Sequence, residues 1–277
     1  MTIQITKASG KTEDINTEKL RNSLLRSGAS EELASEIIDR IMLEIAPLAS
    51  TKKIYRLARK YLRQLNHASG LRYSLKSALF KLGPTGYPFE KYYSFLLKSY
   101  GYETQTGSII QGRCVNHEID VIAVNDKEVN FVECKYHNKP GTTVDVKVAM
   151  YVESRFRDLT PAMAARYPDR RFRGWLVTNT RLTDDALKYA ECNKYGVRSW
   201  GYPDDDSLEK MIEDKRLYPV TIVSGIQSGL ISRLLKENII LLKDLVSMNV
   251  RDIRHILSLP EKKAAALKKQ ADELCQC

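Results

Sequence analysis

The sequence predicts an α+β protein built from three parts, and three observations support this prediction. Residues 1–84 open with a short β-hairpin pattern and continue as amphipathic helices. Residues 88–218 alternate helices with apolar strands, which indicates a central α/β unit with a mixed sheet flanked by helices. Residues 219–277 contain only short amphipathic helical segments, so we expect a small all-α C-terminal domain.

The composition favours a polyanionic partner. The 277 residues include 44 Lys and Arg against 34 Asp and Glu, a net charge of +10. A basic protein of this kind is typical of nucleic-acid binding, which releases counterions and therefore depends on salt. Two or three domains are expected at this length.

Cysteine and histidine usage argues against a zinc site. The five cysteines are scattered, and none of the four histidines is paired at ligand spacing. Free thiols are typical of a reducing compartment, so we expect a cytoplasmic protein. The N-terminus lacks an apolar signal core and no apolar run is long enough to span a bilayer, so no membrane association is expected.

The N-terminal segment predicts a hairpin and four helices. Strands at Ile3–Lys7 and Thr12–Ile15 flank a turn at Ser9–Lys11. Asn16 or Thr17 would cap the first helix, and a second covers Glu32–Ile45. Thr51 would cap a third helix over Lys52–His67, and a fourth helix is expected over Leu71–Leu82.

This segment resembles the ATP-cone, the regulatory nucleotide-binding domain of ribonucleotide reductases and of their transcriptional repressor. The resemblance rests on Ile5-Thr6-Lys7, Gly10-Lys11-Thr12-Glu13, Ile15-Asn16 and Lys19. It implies ATP or dATP as a regulatory ligand, held by Lys7, Glu13, Asn16, Lys19 and Thr51. The lysines would meet phosphates, Glu13 and Asn16 would hydrogen-bond sugar or base, and Thr51 opens a helix whose amides favour anions.

Two observations set limits on this resemblance. Ala8 stands where the family often has a second basic residue, and the chain has no Gly-x-x-x-x-Gly-Lys-Ser/Thr loop of a P-loop motor. The alternative interpretation is a basic helical module whose five side chains are caps or solvated groups.

Residues 83–88, Gly-Pro-Thr-Gly-Tyr-Pro, mark the boundary to the central part. There, Val121–Val124 and Val129–Val132 predict two strands joined by a polar turn at Asn125–Glu128. Because strand side chains alternate, Glu133 and Lys135 share one face. Pairing of the strands would bring Asp120 near Glu133.

Two carboxylates and a lysine at the end of a sheet suit phosphodiester hydrolysis. Carboxylate oxygens bind Mg²⁺, which lowers the pKa of a bound water and stabilises charge on phosphorus. Lysine can orient the attacking water or neutralise that charge. The alternative is that these charged residues lie on a solvated strand face.

Residues 88–218 resemble the PD-(D/E)XK nuclease superfamily, particularly its Mrr-like restriction endonuclease branch. The resemblance rests on the segment Glu118-Ile119-Asp120, on Glu133-Cys134-Lys135 after an apolar strand, on the helix Phe89–Tyr102 and on Trp175–Ala186. It implies that Asp120 and Glu133 hold Mg²⁺ and that Lys135 positions water. Glu90 would add to the metal site, or equally would be a glutamate that favours the helix dipole.

The C-terminal segment loosely resembles a helix-hairpin-helix pair, with Pro260 and Glu261 where that motif has hairpin glycines. Binding of DNA phosphates and protein–protein contact stay open as alternatives. In the central part, Lys147 and Arg155 on a predicted helix are expected to face DNA phosphates.

The sequence therefore predicts a Mg²⁺-dependent DNA endonuclease of restriction or defence type, regulated by ATP or dATP and assembled as a homo-oligomer. The alternatives are a nucleotide-sensing DNA-binding regulator that does not cut, and an RNA-directed nuclease.

Overall fold

A computed structural model describes residues 3–7 and 10–275 of the chain. Ala8, Ser9 of the predicted turn, and Cys277 at the C-terminus lie outside the described residues.

The N-terminal unit is a small sheet covered by three helices. The strands run in the order β2-β1-β3, with β1 antiparallel to β2 and parallel to β3. A separate core of Ile and Leu side chains, with Leu24, Ile37 and Leu62 fully buried, holds the unit together. The elements are β1 (Gln4–Thr6), β2 (Thr12–Asp14), α1 (Thr17–Arg26), α2 (Glu31–Glu44), β3 (Ala49–Ser50) and α3 (Thr51–Leu65). The predicted hairpin and the first three helices are confirmed.

Two details of this segment were predicted wrongly. Ser50, not Thr51, caps α3, because the Ser50 side chain accepts the backbone N–H of Lys53 while Thr51 is already helical. The predicted helix over 71–82 is divided into α4 (His67–Arg72) and α5 (Leu75–Leu79). These two helices pack into the core of the central unit, with Leu71 and Leu79 fully buried there.

The central sheet is mixed, as predicted, and runs in the order β10-β8-β6-β5-β4. Strands β4, β5 and β6 form an antiparallel meander, and β6, β8 and β10 are parallel. The short strands β7 and β9 pair beside it. The elements are α6 (Tyr87–Ser99), β4 (Glu103–Gln111), β5 (Asn116–Val124), β6 (Glu128–Lys135), β7 (Thr143–Val144), α7 (Val146–Arg166), β8 (Arg171–Thr178), β9 (Arg181–Leu182), α8 (Asp184–Cys192), β10 (Gly196–Arg198) and α9 (Leu208–Lys215).

The β5–β6 hairpin turns where the sequence predicts. The Asn125 side chain accepts the backbone N–H groups of Lys127 and Glu128, both at 2.9 Å, and so closes the turn. Asn favours such positions because its amide oxygen substitutes for a backbone acceptor. The turn sets the register in which Val121 lies opposite Val132.

Helices cover both faces of this sheet. On one face α7 and α8 pack over Phe131 and Leu176. Helix α7 lies close to β8, since a Cβ on Gly174 would stand 1.9 Å from the ring of Phe156. This close approach holds the first half of α7 beside the end of β6.

The C-terminal helices cover the other face together with α6 and α9. They share one core with Val121 and Val132 of the sheet. The elements are a 3₁₀ turn at Val220–Ile222, α10 (Ser228–Lys236), α11 (Leu242–Ser247), α12 (Val250–Leu257) and α13 (Glu261–Cys275). Among the described residues, no helix combines the length and the apolar character that a bilayer crossing requires.

Candidate active site

Asp120 and Glu133 meet where the β5–β6 ladder ends. The last pair of that ladder is Val121 with Val132, so Asp120 and Glu133 are the next residues on the two strands. Asp120 Oδ2 accepts the backbone N–H of Cys134 at 2.7 Å. A side chain of β5 thus accepts a hydrogen bond from the backbone of β6. Asp120 therefore lies near Glu133, as the sequence predicts.

The third strand of the meander, β4, has an unusual backbone conformation opposite Asp120. Thr106 pairs with Val121 and Ser108 with Ile119, which puts Gly107 of β4 opposite Asp120. Gly107 has φ of +62°, and a Cβ there would meet nothing within 4 Å. Because non-glycine residues rarely adopt this backbone, glycine permits the local distortion of the edge strand next to the carboxylate.

Glu133 and Lys135 lie on the same face of β6, as alternation predicts. Lys135 Nζ is 2.6 Å from Glu133 Oε1. The Glu133 side chain is 5% exposed and that of Lys135 is 35% exposed, so the carboxylate is buried while the ammonium reaches solvent. The lysine is therefore in a position to contact both the carboxylate and an incoming phosphate.

Arg155 of α7 provides a second cation for Glu133, and this contradicts its predicted orientation toward DNA phosphates. Its Nη1 donates to Glu133 Oε2 and to the backbone oxygen of Glu118. Its Nη2 donates to the hydroxyl of Tyr151, whose ring lies 4.8 Å from the guanidinium carbon. The physical reason is that a buried carboxylate needs close counter-charges, and α7 packs directly over it.

Negative charge is concentrated at this end of the sheet. Burial and the charge of Glu133 raise the pKa of Asp120 to about 6. Burial, with the charges of Asp120 and Glu118, raises the pKa of Glu90 to about 7. Glu90 therefore lies in the electrostatic environment of the pair, while also standing in the first turn of α6.

The donor set fits a hard divalent cation. Carboxylate oxygens are the ligands Mg²⁺ prefers, and a cation among Glu90, Asp120 and Glu133 would relieve the mutual repulsion that raises two of their pKa values. Within residues 3–7 and 10–275, no three His, Cys, Asp or Glu side chains are grouped to hold a metal alone. Mg²⁺ does not require such a group, since it keeps waters and takes substrate phosphate oxygens alongside one or two carboxylates.

The loop after β6 is fixed by polar contacts that the sequence did not reveal. Asn179 is fully buried; its side chain accepts the backbone N–H of His137 and donates to the His137 oxygen. The Tyr136 hydroxyl donates to the backbone oxygens of Phe80 and Gly83. The polar run Thr178–Thr180 directly after an apolar strand was the signal available for Asn179.

The predicted nucleotide-site residues lie at two places on the N-terminal unit. Lys7 Nζ is 2.6 Å from Glu13 Oε2, and Thr51 follows the strand parallel to β1, beside the end where Lys7 stands. Asn16 caps α1 by accepting the backbone N–H of Lys19, at the far end of β2. The structure therefore brings Lys7 and Glu13 into contact and separates Asn16 and Lys19 from Lys7.

Comparisons with known proteins agree with the central and C-terminal parts. Residues 84–203 match a family model described as restriction endonuclease, and residues 218–275 match one described as AF1548-like, C-terminal. An uncharacterised protein of Archaeoglobus fulgidus is 37% identical over 169 residues, which are 61% of this chain and 91% of the relative. The crystal structure of a protein of unknown function, AF1548, superimposes with a TM-score of 0.57 at 33% identity, covering 69% of this chain and 99% of that one.

These matches support the predicted restriction endonuclease domain. Both family models begin at residue 84 or later. The ATP-cone resemblance of the preceding residues therefore stays a prediction, as do the domain boundaries at 84, 88 and 218.

Replacing Arg155 by Met should destabilise the fold by about 3 kcal/mol, because it removes one of the two cations that pair with the buried carboxylate of Glu133. Urea unfolding measures this change. Arg157→Met is the matched control on the same helix, since the Arg157 side chain is 73% exposed and its ion-pair partner in the described part of the chain is Glu153. Its effect should stay within about 0.5 kcal/mol. Equal losses in the two variants would show that Glu133 does not depend on Arg155.

Proposed function

This chain belongs to the same family as the uncharacterised Archaeoglobus fulgidus protein, and we propose that its restriction endonuclease domain cleaves DNA with Mg²⁺. The observation that carries the proposal is the convergence of Asp120, Glu133 and Lys135 at one end of the sheet, with Lys135 reaching solvent. The net charge of +10 supports a nucleic-acid substrate.

Each side chain has a role that follows from its chemistry. Asp120 and Glu133 would hold Mg²⁺, with Glu90 as an auxiliary carboxylate. When bound, the ion lowers the pKa of a coordinated water and stabilises the charge that develops on the phosphate. Lys135 would orient the attacking water or neutralise that charge, as its position between Glu133 and solvent allows.

Arg155 acts on the site through Glu133. Lys135 pairs with Oε1 of Glu133 and Arg155 pairs with Oε2, so both oxygens of the carboxylate already have a cationic partner without a metal. A divalent ion would therefore compete with the guanidinium for Oε2. Arg155 is thus a positioning residue for the Glu133 carboxylate. If a metal displaced Arg155 from Glu133, the guanidinium would become available to the bound DNA phosphate.

The same contacts favour a second candidate. If Arg155 and Lys135 keep both oxygens of Glu133, the domain would bind DNA without cutting it. The protein would then be the second candidate predicted from the sequence, a nucleotide-sensing regulator that binds DNA. Divalent-dependent nicking of a plasmid separates the two candidates.

Asp120→Asn and Lys135→Gln should each lower Mg²⁺-dependent plasmid nicking by about 100-fold or more, the usual loss when a charge-stabilising group is removed. The controls are Asp126→Asn and Lys127→Gln, which change the same residue types in the exposed turn of the same hairpin. Those controls should cut like the unaltered protein. Equal cutting by Asp120→Asn would refute the role of that carboxylate, and absence of cutting by every form that binds DNA would favour the regulator.

We further propose that ATP or dATP binds the N-terminal unit and regulates cleavage. Lys7 directly follows β1, and Glu13 lies within β2. Both side chains are exposed, so phosphates have access to the ammonium of Lys7. The nucleotide would have to displace Glu13 from Lys7. The N-terminus of α3 lies beside Lys7 and offers backbone amides to an anion.

Lys7→Gln should weaken ATP binding at least tenfold in equilibrium dialysis, because a charge-assisted contact to phosphate is lost. Lys60→Gln is the control, since Lys60 is an exposed lysine near the other end of α3. The nicking rate with and without ATP or dATP then reports regulation. Identical ATP affinity in Lys7→Gln and the unaltered protein would overturn the proposed site.

A further inference from the structure

A groove beside the loop that follows β6 is not used by the proposed chemistry. It lies between the loop after β6, the linker after α5 and the start of α10, and has a volume of about 470 Å³. Three separate segments contribute polar side chains to its lining: Lys81 from the linker, Asn138 and Lys139 from the loop, and Ser228 and Ser232 from α10. The rest of the lining is apolar and includes Phe80, Pro84, Ile226 and Ile231.

The groove carries positive charge without local compensation. Among the described residues, Lys81 and Lys139, like most lysines of the chain, have no carboxylate within 4.0 Å; those that do are Lys7, Lys60, Lys135, Lys268 and Lys269. Burial and the charge of Arg59 on α3 lower the pKa of Lys81. Arg59 itself keeps a buried Nε with no hydrogen-bond partner in the described chain. The positive charges of Lys81 and Arg59 thus repel each other, and an anion that enters the groove would reduce this repulsion.

One wall of the groove is the loop that follows the catalytic strand β6. Lys139 stands four residues after Lys135, so the two backbones are at most about 14 Å apart. The Tyr136 contacts to the carbonyls of Phe80 and Gly83 tie that loop to the linker wall. Since B-DNA rises 3.4 Å per base pair, the backbone of Lys139 lies within about four base-pair rises of the backbone of Lys135.

Resting on the proposed nuclease function, we propose that this groove holds the phosphodiester backbone of the DNA cut at the Asp120 site. Lys81 and Lys139 bind phosphates, and the hydroxyls of Ser228 and Ser232 donate hydrogen bonds to phosphate oxygens. Helix α10 thereby gives the C-terminal helices a part in substrate binding. The groove contacts backbone only, so it adds affinity and positioning without reading sequence.

The test is the salt dependence of DNA binding by the full chain. Fluorescence anisotropy with a labelled 25-base-pair duplex is measured between 50 and 200 mM salt in EDTA, which prevents cutting. Each phosphate contact adds about 0.9 to the slope of log affinity against log salt. Lys81→Gln/Lys139→Gln should therefore reduce the slope by about 2 and weaken binding about tenfold or more at 100 mM salt.

The matched control is Lys188→Gln/Lys210→Gln, which removes two exposed lysines from α8 and α9, outside the groove. This variant should keep the slope of the unaltered protein. An unchanged slope in the groove variant, with normal binding by the unaltered protein, overturns the groove assignment and leaves the nuclease proposal standing. Failure of the unaltered protein to bind DNA overturns both, and a slope change with duplex RNA but not DNA overturns the choice of DNA.

Discussion

Burial of negative charge at the end of the β5–β6 ladder is the constraint on which the site depends. Asp120 and Glu133 stand on adjacent strands where backbone pairing stops, and Glu133 is almost fully buried. A carboxylate in such surroundings is costly unless cations and hydrogen-bond donors meet it. Lys135, Arg155 and the Cys134 amide supply them.

The architecture around the pair follows from that need. Gly174 lets α7 approach β8 closely, which holds Arg155 over Glu133. Helix α6 brings Glu90 to the same end of the sheet, where burial and the charges of Asp120, Glu118 and Glu133 raise its pKa. The edge strand β4 has a positive φ at Gly107, opposite Asp120. The fold therefore surrounds the carboxylates on several sides and leaves Lys135 in contact with solvent, which is the arrangement expected of a site that takes a cation and a phosphate.

Features of the site that depend on local sequence patterns could be predicted from the sequence. Period-two alternation and the Asn125 turn fix which residues of β5 and β6 share a face, so Asp120, Glu133 and Lys135 could be predicted together. The contact between Arg155 and Glu133 could not, because it joins a helix and a strand through packing that no local pattern encodes. The same holds for Asn179, whose partner His137 is 42 residues away. The side chains of both Ser50 and Thr51 can cap a helix, and the backbone conformation decides between them.

Metal binding at Asp120 is the most direct test of this account. Mn²⁺ prefers the same oxygen ligands as Mg²⁺ and can be counted by its electron paramagnetic resonance signal. The account predicts that the unaltered protein binds Mn²⁺ without DNA and that Asp120→Asn weakens this binding at least tenfold, while Asp126→Asn does not. Equal Mn²⁺ affinity in Asp120→Asn and the unaltered protein would contradict it.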